Sequence, residues 1–351
     1  MSGRAGRSWT YARSGIDRGT VREGLAALLR AVTFRPPRGS GRAVPLAGHY
    51  AGLVRLGRET IAITTDTVGT KALLAASTGR WEEVGEDIVG VNVNDLASVG
   101  ARPCGLVDCL SLDRPRASDL AAIGRGLNRG LREAGCALLG GETAIVPELV
   151  KAADLGGTAI GFFPGRRRPV SGAGIRPGDV LLGIPSSGFH ANGFTLVRRL
   201  LRATHANLRR PRPGSRVPLG RELLTPTRIY VRPVEAIAGW SATHGLAHIS
   251  GGGVRNLARL NPRVRFVVDG WPAPAGLFAW AQAAGRVSDR ELYQTFNVGI
   301  GFVVVTGRTE APAVLRRLRA NGAPDARPIG RVARGTGVEL PQLGLRYADY
   351  A

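Results

Sequence analysis

A strand that ends in an acidic, glycine-containing turn is predicted for residues 60–71. Ile61 and Ile63 alternate with polar residues, which is the pattern of a half-buried strand. An acid, a glycine, a hydroxyl and a lysine then follow between Asp66 and Lys71. Such a turn presents a carboxylate at the strand tip and backbone N–H groups just beyond it, which suits a phosphate and its cation. The stretch therefore predicts a phosphate-binding or nucleotide-binding turn, with an ordinary strand-end turn as the alternative.

Lys71 is unusual in this chain because nearly every other cationic residue is arginine. Of the 48 Lys and Arg residues, only Lys71 and Lys151 are lysines. A lysine carries a compact point charge and an arginine a planar fork, so the two are not interchangeable at a phosphate. A lysine next to the acidic turn therefore predicts a requirement for that charge there.

The length and composition are those of a globular protein with two domains. The chain has 351 residues, of which 44% are hydrophobic, but no apolar run is long enough to span a bilayer. Residues 1–10 contain arginine and lack the apolar core of a secretory signal. The three cysteines, Cys104, Cys109 and Cys136, lack zinc-type spacing and do not pair evenly, which predicts reduced thiols. We therefore expect a cytoplasmic protein with no membrane partner.

The net charge of +22 has two interpretations. A basic surface can attract nucleic acid or a membrane. Alternatively, the charge reflects a composition rich in Arg, Ala, Gly and Pro, with anionic metabolites as the ligands. The arginines are spread along the chain, and no aromatic residues interleave them as a single-strand binding groove requires. The pattern disfavours nucleic acid as a partner.

A helix predicted from Val84 to Val99 carries a carboxylate on its apolar stripe. Asp95 lies four residues after Val91 and four before Val99, so it falls within the stripe. Burying a carboxylate costs several kcal/mol, on the order of 3–5, unless a cation or hydrogen-bond donors meet it. Asp95 therefore predicts a metal and substrate site, with an internal cap or salt bridge as the alternative.

Polar turns follow several other predicted strands. Gly140–Thr143 follows one short apolar run, Ser186–Gly193 follows another, and His248–Gly253 opens a third strand-to-helix turn. Strand ends of this kind converge in sheets covered by helices, and amides at a helix start can hold an anion. His190 lies in the second of these turns, where it suits proton transfer or a structural role equally well.

At these residues the chain resembles the phosphoribosylformylglycinamidine cyclo-ligases, also called aminoimidazole ribonucleotide synthetases. The resemblance runs from Tyr11 to about Val332 and rests on several motifs in the order of that family. They are Asp66–Lys71, Val93–Leu96, Gly100–Pro103, Gly140–Ala144, Ser186–Gly193, Leu224–Tyr230, His248–Gly253 and Thr295–Gly301.

The resemblance implies an α+β fold with two domains, each a mixed sheet covered by helices. The implied limits are an N-terminal arm at 1–45, an ATP-binding and dimerisation domain at 46–165, and a C-terminal domain at 166–345. It also implies a homodimer, with ATP bound near the subunit boundary. The implied reaction converts formylglycinamidine ribonucleotide and ATP to aminoimidazole ribonucleotide, ADP and phosphate, with Mg²⁺. Ring closure is intramolecular, so the protein mainly supplies alignment and charge neutralisation.

The resemblance also implies roles for individual residues. The catalytic set is Lys71, Asp95 and His190, and the metal ligands are Asp66 and Asp95. Nucleotide binding falls to an arm that closes over ATP (Ser14, Gly15 and Asp17) and to Asp66, Gly69, Thr70, Asn94, Gly140, Gly141, Glu142 and Thr143. Substrate binding falls to Ser187, Gly188, Asn192, Thr227 and Arg228. From their position alone, Gly251, Gly252 and Gly253 are predicted to hold the 5′-phosphate.

Two departures from the family pattern and two competing functions remain. Thr67 stands where the family usually has glycine, so a positive φ there would be strained. The segment Pro147–Asp154 is shorter than in many relatives. A thiamine-monophosphate kinase or a hydrogenase-maturation dehydratase would share the Asp66 and Asp95 regions but lack the motifs around His190 and Asn297. An Arg-rich nucleic-acid-binding protein is disfavoured because Asp66, Asp95 and Glu142 would repel phosphate without a metal.

Overall fold

The chain folds around two mixed sheets with helices between and around them. The computed structural model describes residues 9–10, 18–34, 41–46 and 49–350. The helices are α1 (Arg18–Ala31), α2 (Lys71–Thr78), α3 (Trp81–Ala97), α4 (Ala117–Ala134), α5 (Phe194–Ala203), α6 (Leu219–Leu223), α7 (Val231–Ala238), α8 (Leu277–Gly285), α9 (Asp289–Thr295) and α10 (Ala311–Ala320). The strands are β1 (Arg42–Val44), β2 (Gly52–Leu56), β3 (Glu59–Thr67), β4 (Arg102–Leu112), β5 (Ala137–Ile145), β6 (Ala153–Phe162), β7 (Val180–Pro185), β8 (Thr243–His248), β9 (Arg265–Val267), β10 (Ile300–Thr306), β11 (Arg327–Ala333), β12 (Gly337–Leu340) and β13 (Leu345–Tyr347).

The first sheet has six strands in the order β1-β2-β3-β6-β4-β5, and the second has seven in the order β13-β12-β9-β11-β7-β10-β8. In the first, only β4 and β5 are parallel neighbours; in the second, only β9 and β12 are. This arrangement confirms the α+β class expected from the resemblance. Residues 163–179 connect the two sheets.

The first sheet buries one face and leaves the other open. Ala62, Leu106 and Ala159 are buried on the covered face, where α3 crosses the sheet. On the other face Ile63, Val107 and Phe162 expose 44%, 39% and 36% of their surface. Strand side chains alternate between faces, so this difference follows from the period of two in β3, β4 and β6.

Two glycines let α3 and α4 approach closely. A Cβ at Gly85 of α3 would lie 2.3 Å from the Ile123 carbonyl oxygen, and one at Gly126 of α4 would lie 1.9 Å from the Glu82 carbonyl oxygen. Any larger side chain at either position would push the helices apart. Because α4 covers its outer side, α3 is buried between the sheet, α4 and the second half of the chain.

Thr67 causes none of the strain that the family comparison raised. It is the last residue of β3, and it is not among the non-glycine residues with positive φ. The predicted helix at 84–99 appears as α3, and the predicted strand around Ile61 and Ile63 appears as β3, which forms a hairpin with β2 in which Leu56 pairs with Glu59.

Candidate active site

Lys71 is buried rather than directed at an open cleft. Its ammonium lies 2.6 Å from Asp87 Oδ2 of α3, and neither side chain is exposed to solvent. It also donates to the Thr225 carbonyl at 2.9 Å. Burial lowers the pKa of Lys71, and the neighbouring Asp87 carboxylate opposes that change. The Lys71 charge is therefore matched by Asp87, and the predicted contact of Lys71 with a transferring phosphoryl group stays a prediction.

Asp87 and Asn94 hold a segment of the second half of the chain against α3. Asp87 Oδ1 accepts hydrogen bonds from the Thr227 amide at 2.8 Å and its hydroxyl at 2.6 Å. Asn94 donates to the Arg228 carbonyl at 2.8 Å and accepts from the Tyr230 amide at 2.8 Å. Asn94 and Thr227 are both buried. The polar groups of Asn94 and Thr227 are therefore used within the protein, and their predicted roles in binding nucleotide and substrate stay predictions.

Arg228 is also engaged by the protein. Its guanidinium donates to the Pro185 carbonyl at 3.1 Å and to the Gly322 carbonyl at 2.8 Å. It lies 5.7 Å from the centre of the Tyr230 ring. The predicted contact of Arg228 with the substrate would have to replace or supplement these carbonyl contacts.

Asp66 and Asp95 lie close enough for their charges to interact. Burial raises the pKa of Asp66 to about 6, and the Asp95 carboxylate adds to that rise. The Thr67 N–H, which Asp66 Oδ1 accepts at 2.7 Å, and His248 act in the opposite direction. The Asp66 backbone is held by Asn92, whose Oδ1 accepts from the Asp66 N–H at 3.0 Å. Two carboxylates near each other with incomplete neutralisation form a site that favours a cation.

His248 is the partner of Asp95, and sequence reasoning did not include it in the site. Its Nδ1 lies 2.9 Å from Asp95 Oδ1, and its side chain is 1% exposed. The sequence did indicate that Asp95 has a partner, because a carboxylate on a buried apolar stripe requires one. His248 was available at the end of a strand, but 153 positions away in sequence.

His190 lies beside His248 in the same buried cluster. The two ring centres are 6.2 Å apart, and His190 Nε2 accepts from the Ser187 N–H at 3.4 Å. Within the described ranges, His190 Nδ1 and His248 Nε2 are buried with no hydrogen-bond partner. Burial, and then the charge of His248, hold the pKa of His190 well below its usual value. A neutral imidazole of this kind can accept a proton.

Asn297 holds the turn that contains Ser187 and Gly188. Its Oδ1 accepts from the Ser186 hydroxyl at 2.9 Å and the Gly299 N–H at 3.0 Å, and its Nδ2 donates to the Gly188 carbonyl at 2.8 Å. Ser187 Oγ donates to the Pro226 carbonyl at 2.6 Å. Asn297 was recognised only as part of a motif, and its role in holding this turn appears only in three dimensions.

The triple-glycine turn has little free backbone. A Cβ at Gly252 would lie 2.7 Å from the Tyr350 ring, and one at Gly253 would lie 2.0 Å from the Tyr293 carbonyl oxygen. Both glycines are buried, whereas Gly251 is exposed and Asn192 is half-buried beside it. Glycine is therefore needed for packing at Gly252 and Gly253, and the phosphate cradle at Gly251–Gly253 stays a prediction.

Gly140–Thr143, predicted as a polar turn, lies within strand β5 and does not join the acidic pair within one chain. Asp66, Gly157, Asp108 and Gly141 pair in one row across β3, β6, β4 and β5. Strands lie about 4.8 Å apart, so Glu142 is about 14 Å from Asp66. The whole of β5 is an exposed or half-exposed edge strand.

The remaining predicted nucleotide residues lie at the start of α2 or outside the described ranges. Gly69 is exposed with φ 59°, and Thr70 Oγ1 lies 3.2 Å from Thr195 Oγ1 of α5. Ser14, Gly15 and Asp17 fall outside the described residues. Within the described part of the chain, no helix is long and apolar enough to cross a membrane. The same residues contain no group of three or more His, Cys, Asp and Glu side chains arranged to hold a metal.

Two family models match the chain, one for each sheet. The AIR synthase related protein N-terminal domain matches residues 48–163, and the corresponding C-terminal domain matches residues 176–341. A phosphoribosylformylglycinamidine cyclo-ligase from Thermococcus kodakarensis is 39% identical over 340 residues, covering 96% of this chain and 99% of that protein. One from Methanothermobacter thermautotrophicus is 43% identical over 297 residues, covering 84% and 86%.

Solved structures with the same fold are more distant in sequence. Thiamine monophosphate kinase from Aquifex aeolicus has a TM-score of 0.61 at 18% identity, with 93% of this chain and 99% of that chain covered. Hydrogenase maturation protein HypE in complex with ATP has a TM-score of 0.59 at 20% identity, with 82% and 83% covered. These similarities concern the fold alone, whereas the two domain models and the cyclo-ligase sequences extend over most of the chain. The chain therefore belongs to the family of phosphoribosylformylglycinamidine cyclo-ligases, which is built from the two AIR synthase related domains.

Proposed function

We propose that the chain catalyses the ATP-dependent cyclisation of formylglycinamidine ribonucleotide to aminoimidazole ribonucleotide, with release of ADP and phosphate. The observation that carries the proposal is the acidic pair Asp66 and Asp95 beside a buried histidine cluster, in a chain 37–43% identical to proteins of that name. Phosphorylation of the formyl oxygen turns a poor leaving group into phosphate. A nitrogen of the same substrate then attacks that carbon and closes the five-membered ring.

ATP and Mg²⁺ fit the donor set at the acidic pair. Carboxylate and phosphate oxygens are the ligands that Mg²⁺ prefers, and it commonly keeps several waters besides one or two carboxylates. The raised pKa of Asp66 and the effect of Asp95 on it mark a place where a cation would relieve repulsion. When bound, Mg²⁺ would neutralise the phosphate oxygens of the nucleotide. The neighbour HypE was solved in complex with ATP, which supports ATP as the nucleotide.

The histidine cluster supports the proton-transfer step. Burial keeps His190 neutral, and because its Nε2 accepts from the Ser187 N–H, its proton lies on Nδ1; His190 can act as a base when Nε2 exchanges this weak 3.4 Å contact for the attacking nitrogen of the substrate. The Asp95 carboxylate orients His248 through Nδ1, which leaves His248 Nε2 directed into the same cluster. Both imidazoles are therefore held before substrate arrives, as an intramolecular ring closure requires.

We also propose that the open face of the first sheet forms a homodimer. Leu139 of the edge strand β5 is 58% exposed and lies against Gly105 on the same side of the sheet as Val107, so it extends the apolar face formed by Ile63, Val107 and Phe162. Contiguous exposed apolar surface of this kind marks an interaction site. A second copy on this face would bring the partner's edge strand near the nucleotide site and would give Gly140–Thr143 a route into it.

A kinase or dehydratase of the same superfamily is the alternative. Solved thiamine-monophosphate kinases and the hydrogenase maturation protein HypE share the fold at 17–22% identity, well below the cyclo-ligases. Asn297 and His190, which the motifs of the cyclo-ligase contain, are both built into the candidate site. Nucleic-acid binding is disfavoured because Asp66 and Asp95 would repel a phosphate backbone without a cation.

The test supplies the purified full chain with formylglycinamidine ribonucleotide, ATP and Mg²⁺ and assays the aminoimidazole product. Asp95→Asn should remove turnover, because it weakens the cation site and disturbs the orientation of His248, while the protein stays folded. Glu148→Gln on an exposed loop is the control and should keep wild-type turnover. Near-full activity of Asp95→Asn would contradict the assignment of Asp95, and absence of product from the wild-type chain would contradict the reaction.

A further inference from the structure

A cavity beside the Ser186–Gly188 turn belongs to no element of the nucleotide site. Its volume is about 460 Å³, within the range of small-molecule sites. Ser187, Gly188 and Gly299 form its floor, and Pro272 and Phe278 form an apolar wall. Arg212 and Arg327 also line it, and sequence reasoning assigned neither a role. We call it the Arg327 cavity.

The charges of the two arginines differ in how they are matched. Arg212 makes two hydrogen bonds to the Glu222 carboxylate, at 2.9 and 3.1 Å, so its charge is already paired. No carboxylate of the described residues lies within ion-pair distance of Arg327, which is half-buried at the start of β11. The cavity therefore carries one uncompensated positive charge, and an anion is the ligand that would match it.

The floor of the cavity is held in place from below. Asn297 bonds to Ser186, Gly188 and Gly299, so one buried amide ties together the two turns that face the cavity. Trp271 Nε1 in turn donates to the Asn297 carbonyl at 3.2 Å. Preorganised floors of this kind reduce the cost of ordering loops around a ligand.

The cavity also lies next to the candidate base. Ser187 contributes to its floor, and the Ser187 N–H donates to His190 Nε2 at 3.4 Å. The Ser187 turn therefore connects the cavity to the histidine cluster. Since Gly252 and Gly253 are used for packing, the phosphate of a phosphorylated substrate also needs another holder.

We propose that the Arg327 cavity binds the phosphate monoester of the substrate, with Arg327 as its charge partner and Asn297 as a positioning residue for the floor. The proposal rests on the proposed function for the identity of the whole substrate. The binding of a sugar phosphate to this cavity, however, can be measured without turnover.

The first experiment measures binding of ribose 5-phosphate to the full chain by calorimetry, with ribose as the uncharged probe. We expect the wild-type chain to bind ribose 5-phosphate and not ribose, and Arg327→Gln to weaken that binding at least tenfold. Arg331→Gln is the matched control, because Arg331 lies on the same strand, is exposed, and pairs with Asp269 at the surface. It should bind as the wild type does.

The second experiment separates the substrate phosphate from the nucleotide. With formylglycinamidine ribonucleotide and ATP, Arg327→Gln should raise KM for the ribonucleotide at least tenfold and leave KM for ATP unchanged. Equal binding of ribose 5-phosphate by the wild type and Arg327→Gln, no binding by the wild type, or a rise in KM for ATP alone would each overturn the proposal. A third outcome separates the two proposals. If the wild-type chain binds ribose 5-phosphate but forms no cyclised product, and Arg327→Gln loses that binding, the proposed cavity is supported and only the proposed reaction is contradicted.

Discussion

Replacement of Lys71 by methionine separates a structural role from a catalytic one. Lys71 Nζ lies 2.6 Å from Asp87 Oδ2, and neither side chain is exposed. Methionine fills a similar volume but leaves the Asp87 carboxylate buried without a cation. Breaking a buried ion pair by removing one partner costs about 3–5 kcal/mol. Asp87 keeps its two hydrogen bonds from Thr227, which places the expected loss at the lower end, about 3 kcal/mol.

A double-mutant cycle with urea unfolding measures this loss. Lys71→Met and Asp87→Asn should each destabilise the protein, and the double variant should lose at least about 1 kcal/mol less than their sum, because no charge is stranded. Lys151→Met is the matched control, since Lys151 is the other lysine and is exposed. Its free energy of unfolding should stay within about 0.5 kcal/mol of the wild type.

The same variants decide between the two roles. If Lys71→Met unfolds as the wild type does and loses only turnover with ATP, the ammonium acts on the transferring phosphoryl group and the structural account is wrong. If the loss of stability and the coupling to Asp87 both appear, and the double variant recovers part of the turnover, the ion pair is structural and keeps Lys71 and Asp87 in place for their hydrogen bonds to Thr225 and Thr227 of the second half.

Three further changes test the rest of the site. Burial and Asp95 raise the pKa of Asp66 to about 6, so the folded chain binds a proton that the unfolded chain releases above about pH 4. The free energy of unfolding of the ligand-free protein should therefore fall by up to about 3 kcal/mol as the pH rises from about 4 to about 6. Asp66→Asn should remove that fall and raise the thermal midpoint at pH 7.5. A pH profile of Asp66→Asn identical to that of the wild type would contradict the account. Gly301→Ala places a Cβ 1.9 Å from Tyr230 Oη and 2.6 Å from His190 Cε1. Thermal unfolding should therefore show a loss of stability of about 1–3 kcal/mol, and turnover should fall. An unchanged thermal midpoint would argue against this packing. Leu139→Arg on the open face of the first sheet should convert a dimer into monomers in sedimentation measurements, while Leu149→Arg on an exposed loop should not; a dimer that survives Leu139→Arg would place the interface elsewhere.

The pattern of apolar residues predicted the elements around the site well. The stripe formed by Val84, Ile88 and Val91 predicted a helix close to the bounds of α3, and the alternation around Ile61 and Ile63 predicted β3. These signals are local, because a helix or a strand repeats its buried face within a few residues. The acidic ends of these elements were therefore located from the sequence.

The partners of the buried charges could not be predicted in the same way. A carboxylate on a buried face requires a partner, but the sequence does not say which of many donors will meet it. Asp95 is matched by His248 and Lys71 by Asp87, and both pairs form only when distant segments pack together. Lys71 was assigned to phosphate because it is rare and lies beside an acidic turn, whereas its environment is decided by α3.

The buried polar face of α3 explains how the two halves of the site come into register. Asp87, Asn94 and Ser98 are spaced by seven and four residues, so they share one face of the helix, which packs against the second half of the chain. They bond to Thr227, to Tyr230 and to the His248 N–H, the last at 3.1 Å from Ser98 Oγ. Each of these groups would be costly to bury without its partner, so a shifted docking of the second half would leave several unsatisfied at once. The same contacts carry His248 to Asp95, and they therefore couple the correct packing of α3 to the assembly of the acidic pair with the histidine cluster.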